Sequence, residues 1–167
     1  MIELWTDGSY SEHTNVGAWA YKINDENVIK TSNIVLENGN TSYRMELRAI
    51  LKGLKGLKNL TNIKTSINVY SDCKGIVDIL NNVREMESRN WRIAKVRKKN
   101  GELIPSRHIK DLDLFLGIAQ LLKATSHKIN FIWIKGHNES NKMTLNVKVD
   151  KMAQKARKDY EKYLYGF

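Results

Sequence analysis

Four acids in this chain of 167 residues, Asp7, Glu46, Asp72 and Asp150, stand where they could share a divalent cation. Asp7 and Asp72 close strand-like runs, Ile2 to Thr6 and Thr65 to Ser71, while Glu46 and Asp150 follow the apolar residues Met45 and Val149 on helix-like segments. A carboxylate on a buried element is costly unless its charge is compensated. One compensation is local: a hydrogen-bonded turn at Gly8-Ser9 for Asp7, and a helix N-terminus for each of the other three. The other is shared. Three or four carboxylates brought together repel strongly unless cations bind among them. Hard oxygen ligands with open water positions favour Mg2+ or Mn2+ over Zn2+. Two such ions, roughly 3.5–4 Å apart, support in-line hydrolysis of a phosphodiester. The local reading serves any one acid; four acids at converging ends of elements favour the shared one.

The elements must supply that convergence. Ile2 to Thr6 alternates as a strand, Ser9 to Asn15 is polar enough for a loop, and Val16 to Ile23 and Val28 to Leu36 read as two more strands of an antiparallel meander. Thr41 or Ser42 can cap a helix whose apolar face is Leu47, Ile50, Leu51, Leu54 and Leu57, with Gly53 and Gly56 permitting close packing on the sheet. A strand ends at Asp72. A helix follows over 73–83, then a polar and basic segment over 84–106, then a helix carrying Leu112, Phe115, Leu116, Ala119 and Leu122. Lys128 to Ile134 is the fifth strand, 135–145 a polar loop, and Asn146 can cap a last helix with Asp150 in its first turn. The order β-β-β-α-β-α-α-β-α implies a mixed α/β sheet with strands one, four and five parallel. Sites in such sheets form at the carboxyl ends of the parallel strands, where Asp7 and Asp72 would face each other.

The net charge of +10 points toward nucleic acid or an anionic surface, and its distribution is uneven. Residues 1–50 carry four basic and seven acidic side chains, whereas 84–110 carry nine basic and three acidic. Metal ions at one place and phosphates at another would suit that division. No apolar run approaches the roughly 20 residues of a membrane span, and no basic-then-apolar leader opens the sequence. The one cysteine, Cys73, cannot form an internal disulfide, which suits a reducing compartment. The expectation is a cytoplasmic monomer, one domain over 1–167, with no membrane partner.

Thr6-Asp7-Gly8-Ser9, Arg44-Met45-Glu46-Leu47, Ser71-Asp72, Lys135-Gly136-His137, and Asn146 with Asp150 four residues later run the length of the chain in one order. Together they resemble ribonuclease H of the type I class. The resemblance implies a five-stranded sheet of order 3-2-1-4-5 with helices on both faces. It implies that Asp7, Glu46, Asp72 and Asp150 hold two Mg2+ ions, with Mn2+ able to substitute. The substrate would be an RNA–DNA hybrid, its RNA strand cut to 5′-phosphate and 3′-hydroxyl ends. His137 resembles the family histidine that assists proton transfer or product departure. The basic segment, with Arg92, Lys95, Arg97, Lys98 and Lys99, resembles the protrusion with which some members grip the DNA strand. Trp91 within it could pack on a sugar or anchor the segment to the core. Gly8, Thr41, Ser42, Tyr43, Arg44 and Asn146 are hybrid contacts by motif position.

Three departures accompany the resemblance. Tyr43 stands where an Asn that reads the minor groove is usual, 9–15 lacks a Gly/Pro-rich run, and the stretch between His137 and Asn146 is longer than in compact members. Two other functions share these features: a DNA-directed nuclease or strand-transfer enzyme of related architecture, and a nucleic-acid-binding module without catalysis.

Overall fold

A computed structural model describes residues 1–23, 26–35, 40–58, 64–93, 96–104, 106–136 and 141–166. Strands β1 (Ile2–Ser11), β2 (Val16–Ile23) and β3 (Glu26–Val35) form the meander. Helix α1 (Ser42–Lys58) leads to β4 (Ser66–Ser71), and the short helices α2 (Lys74–Leu80) and α3 (Val83–Ser88) follow. Two-residue strands β5 (Arg92–Ile93), β6 (Val96–Arg97), β7 (Leu103–Ile104) and β8 (Arg107–His108) precede α4 (Leu112–Ala124), β9 (Lys128–Trp133) and α5 (Asn141–Tyr165). The main sheet has five strands in the order β3-β2-β1-β4-β9. β1 is antiparallel to β2 and parallel to β4, and β4 is parallel to β9.

Alternation along β1 assigns its two faces. Leu4 belongs to the larger core, with Met45, Leu47 and Ile50 of α1 and Phe115 and Ile118 of α4. Trp5 points the other way, into a smaller cluster with Ala20, Tyr70, Val149 and Ala153. Helices therefore cover both faces of the sheet. The helix-interior Gly53 is explained by proximity: a Cβ there would lie 2.8 Å from a Leu4 methyl. The roughly 1 kcal/mol that glycine costs a helix is offset by that close approach. Thr41 caps α1, its Oγ1 accepting a hydrogen bond from the Arg44 amide at 3.0 Å.

Several boundaries differ from those expected. β1 does not stop before Asp7 but continues to Ser11, because β2 pairs with it from Leu4 onward, Asp7 opposite Ala20 and Ser11 opposite Val16. The expected helix over 73–83 breaks at Asn81-Asn82 into α2 and α3. The basic segment is not irregular throughout: β5 pairs with β8 and β6 with β7, making a ribbon that turns at Gly101, where φ is +83°. Only Gly tolerates such a φ without strain. The last helix begins at Asn141, so Asn146 lies inside it rather than capping it, and Asp150 lies beyond its first turn. Among the described residues, no helix is long and apolar enough to cross a membrane.

Candidate active site

The parallel pairing of β1 and β4 ends at Trp5 opposite Tyr70. Those two rings stack, with centroids 4.1 Å apart and planes 8° from parallel. Asp7 and Asp72 lie two residues further along each chain, so a crevice opens between them above an aromatic floor. Asp7 is 3% exposed, and its Oδ1 accepts a hydrogen bond from its neighbour's amide, Gly8 N, at 2.8 Å. Asp72 is pinned through its backbone: Trp133 Nε1 donates to its carbonyl at 3.1 Å.

Glu46 enters from α1 because Gly8 has no side chain. A Cβ on Gly8 would lie 2.6 Å from the Met45 carbonyl carbon and 2.7 Å from the Glu46 amide nitrogen. No real Cβ occupies such a position, so strand and helix backbones touch only through glycine. Gly8 N also donates to Glu46 Oε1 at 3.1 Å. Carboxylate oxygens of Asp7, Glu46 and Asp72 consequently lie within 4.8 Å of one another.

The electrostatics of this group are unfavourable without a cation. Burial, assisted by the charges of Asp72 and Asp150, pushes the Asp7 carboxyl up to about 7, against the opposing hydrogen bonds with Glu46 and Gly8. Burial also drives Glu46 well above the ordinary carboxylate range, and the neighbouring Asp7 adds to it. Glu46 Oε2 is buried without a hydrogen-bond partner. Three clustered carboxylates with one orphaned buried oxygen fit a hard divalent cation, which would replace the missing donor and cancel the repulsion.

The metal-free protein should therefore respond to pH. Asp7 binds its proton more tightly folded than unfolded, so stability is fully present below about pH 4 and is lost as pH rises through about 7. Asp113 and Glu161 are held below the ordinary range, the first by its bonds to Arg44 and the second by its hydrogen bonds with Thr14 and Arg157, so their titration lies at lower pH. Melting temperatures taken in chelator should fall between pH 5 and pH 8, and Mg2+ should restore the loss at pH 8 but not at pH 5. A flat chelator profile would contradict the repulsion described.

The fourth acid stands apart. Asp150 is half-buried on α5, and both its carboxylate oxygens accept from Gln154 Nε2 at 3.0 Å. It is near enough to raise the pKa of Asp7 but is not within the 4.8 Å group. Gln154 had no signal in the sequence beyond its i,i+4 spacing.

The expected nucleic-acid contacts divide. Gly8 of β1 lies against Met45 and Glu46 of α1, while Thr41 and Ser42 stand at the N-terminus of α1, Ser42 exposed. Arg44 is committed elsewhere: its guanidinium donates to Asp111 at 2.8 Å and to both oxygens of Asp113 at 3.0 and 2.7 Å, tying α1 to the start of α4. Tyr43 packs on Phe115 with Lys110 over its ring. Trp91 is 6% exposed, its ring tilted against Phe115 with centroids 6.2 Å apart in the larger core. Asn146 is buried, with Oδ1 unpartnered. Arg92, Arg97, Lys98 and Lys99 are exposed on the ribbon, where Arg107 extends the basic surface one residue past the span expected for it. Lys95 and His137 lie outside the described residues.

This fold and this geometry define an α/β protein with an acidic cluster able to bind a metal ion at the carboxyl ends of parallel strands. The chain belongs to the RNase H family, whose model matches residues 1–158. It is 31% identical over 158 residues to the ribonuclease H of Caldicellulosiruptor saccharolyticus, covering 95% of this chain and 97% of that one. To the ribonuclease H of Caldanaerobacter subterraneus it is 29% identical over 140 residues, 84% of this chain and 82% of that one. The crystal structure of LC11-RNase H1 in complex with an RNA/DNA hybrid has the same fold, with a TM-score of 0.64 at 16% identity over 96% of this chain and 99% of that one.

Proposed function

We propose that this chain is an endoribonuclease that hydrolyses the RNA strand of RNA–DNA hybrids, leaving 5′-phosphate and 3′-hydroxyl ends. The observation that carries the reading is the meeting of the Asp7, Glu46 and Asp72 carboxylates at the crevice between β1 and β4. Family membership and the relatives named ribonuclease H support it. We read 1–167 as one domain acting as a monomer.

Asp7, Glu46 and Asp72, with Asp150 nearby on α5, would hold two Mg2+ ions, for which Mn2+ could substitute. When bound, such ions supply an activated water and neutralise the charge that builds on the phosphorus oxygens. The protein's part is positioning. Gly8 holds the Glu46 carboxylate against Asp7, the Trp133 indole holds the turn bearing Asp72, and the stacked Trp5 and Tyr70 close the crevice from below. Rigid ligands incur little reorganisation as the reaction proceeds. His137 is the candidate for assisting proton transfer or product departure. Gly8, Thr41 and Ser42 are, by motif position, the candidates for 2′-hydroxyl contacts, the feature that separates RNA from DNA.

The basic ribbon is the candidate grip on the DNA strand's phosphates. The triple substitution Arg92→Ala, Arg97→Ala, Lys99→Ala should weaken hybrid binding about tenfold or more at low salt. It should also flatten the slope of log affinity against log salt by about 0.7–0.9 for each phosphate left unneutralised. Turnover at saturating hybrid should be unchanged. Filter binding across a salt series checks this; an unchanged slope would take the ribbon out of the interface.

The test of the function is cleavage of a labelled hybrid beside double-stranded RNA and double-stranded DNA, with Mg2+ and with chelator. Mg2+-dependent cutting of the RNA strand of the hybrid alone is expected. Cutting of DNA would support the strand-transfer relatives, and tight binding without cutting would support a non-catalytic module.

A further inference from the structure

Asp150 is the acid of the set carried by α5, the helix that lies on the Trp5 face of the sheet. The α5 face of β1 presents Trp5, Asp7 and Ser9 in alternation. Along α5 the matching positions are Val149 and Ala153 against Trp5, Asp150 near Asp7, and Arg157 against Ser9. The apolar part of this interface packs Val149 and Ala153 of α5 on Trp5, Ala20 and Tyr70, with Leu145 and Met152 alongside. The polar part is specific. Arg157 Nε donates to Ser9 Oγ at 2.8 Å, and Arg157 Nη1 donates to Glu161 Oε1 at 2.8 Å. Thr14 Oγ1 donates to the same Glu161 oxygen at 2.6 Å. The Arg157 and Glu161 side chains are only 17% and 10% exposed.

A buried ion pair is weak evidence for net stability, because desolvation offsets the attraction. Its better-supported use is to fix register. Ser9 is two residues from Asp7 on the same strand face, and Arg157 is two helical turns from Asp150 on the same helix face. A slide or rotation of α5 that moved Asp150 relative to Asp7 would break the Ser9 and Thr14 bonds together. We propose that the Arg157–Glu161 pair, through Ser9 and Thr14, is a positioning clamp that sets Asp150 against Asp7 for metal binding. The proposal rests on the metal-dependent reading of the site.

The test is calorimetric titration of the free protein with Mg2+, on the wild type and on Arg157→Met, Glu161→Gln, Arg157→Lys and Ser9→Ala, each also in an Asp150→Asn background. The clamp predicts at least tenfold weaker Mg2+ binding for Arg157→Met and Glu161→Gln, with partial rescue by Arg157→Lys. It predicts no further loss in the Asp150→Asn background, because the clamp acts through Asp150. If Arg157→Met fails to fold, Ser9→Ala, which removes one hydroxyl, carries the same comparison. Lower melting temperature with unchanged Mg2+ affinity would overturn the proposal, as would an equal loss with and without Asp150. A wild type that takes up no Mg2+, while Asp150→Asn behaves identically, would overturn the metal reading itself.

Discussion

Asp7→Asn is expected to abolish hybrid cleavage and, in the same protein, to raise the melting temperature of the metal-free form at pH 8. The two effects have one cause. Asp7 is buried among Glu46, Asp72 and Asp150, and its carboxyl is pushed up to about 7 chiefly by that burial. Above that pH the folded metal-free protein holds a charge that the unfolded chain carries freely in water. An asparagine removes the charge, keeps an oxygen to accept the Gly8 amide, and offers an NH2 that can donate to Glu46. The gain should be roughly 1–3 kcal/mol, or several degrees for a chain of this size. Activity should fall by about a thousandfold or more, since a metal ligand is lost. At pH 5, where the wild-type carboxyl is largely protonated, the stability gain should shrink. Mg2+ should reverse the ranking by stabilising the wild type and not the variant. Thermal melts with and without chelator at both pH values, beside a cleavage assay, check this. Equal stability at pH 8 would show that Asp7 is relieved by something other than a cation.

Gly8→Ala should have the next largest effect, through geometry rather than charge. The added Cβ would sit 2.6–2.7 Å from backbone atoms of Met45 and Glu46, which cannot rotate away as a side-chain tip could. α1 must lift from β1. Overpacking of this kind costs about 1–3 kcal/mol, and backbone on the opposing side places Gly8 at the upper end. The same displacement would carry Glu46 off its hydrogen bond with Gly8 N. A ligand displaced by about 1 Å can cost a hundredfold in rate. Both a lower melting temperature and at least that loss of turnover are expected in one variant. A near-normal Gly8→Ala enzyme would mean that the close approach does not set the position of Glu46.

Much of this site is readable in the amino-acid sequence because its parts sit at pattern breaks. Asp7 and Asp72 each follow an alternating strand, and Met45 marks the inward edge of a helix with clear apolar spacing. Parallel pairing of β1 with β4 then brings the two aspartates together without further information. The differences arise where tertiary partners override local signals. β1 runs past Asp7 into the polar stretch Gly8-Ser9-Tyr10-Ser11 because β2 supplies hydrogen bonds as far as Ser11, which no propensity encodes. Asn146 has the chemistry of a cap, yet α5 begins at Asn141. Arg44 has the chemistry of a phosphate contact, yet Asp111 and Asp113, some seventy residues away in sequence, take its donors. Trp91 sits in a basic, polar segment, and only the three-dimensional position of Phe115 explains why it turns inward. The Arg157–Glu161 pair is invisible in sequence for the same reason: i,i+4 charge pairs are ordinary on exposed helices, and its meaning lies in Ser9 and Thr14, nearly 150 residues distant.

Whether the acidic crevice between β1 and β4 is a divalent-cation site can be decided by anomalous scattering from crystals soaked in Mn2+. A peak in contact with the carboxylates of Asp7, Glu46 and Asp72 is expected, and it should be absent in crystals of Asp7→Asn. An empty crevice at Mn2+ concentrations that support hybrid cleavage, or a peak held by other residues alone, would contradict the assignment.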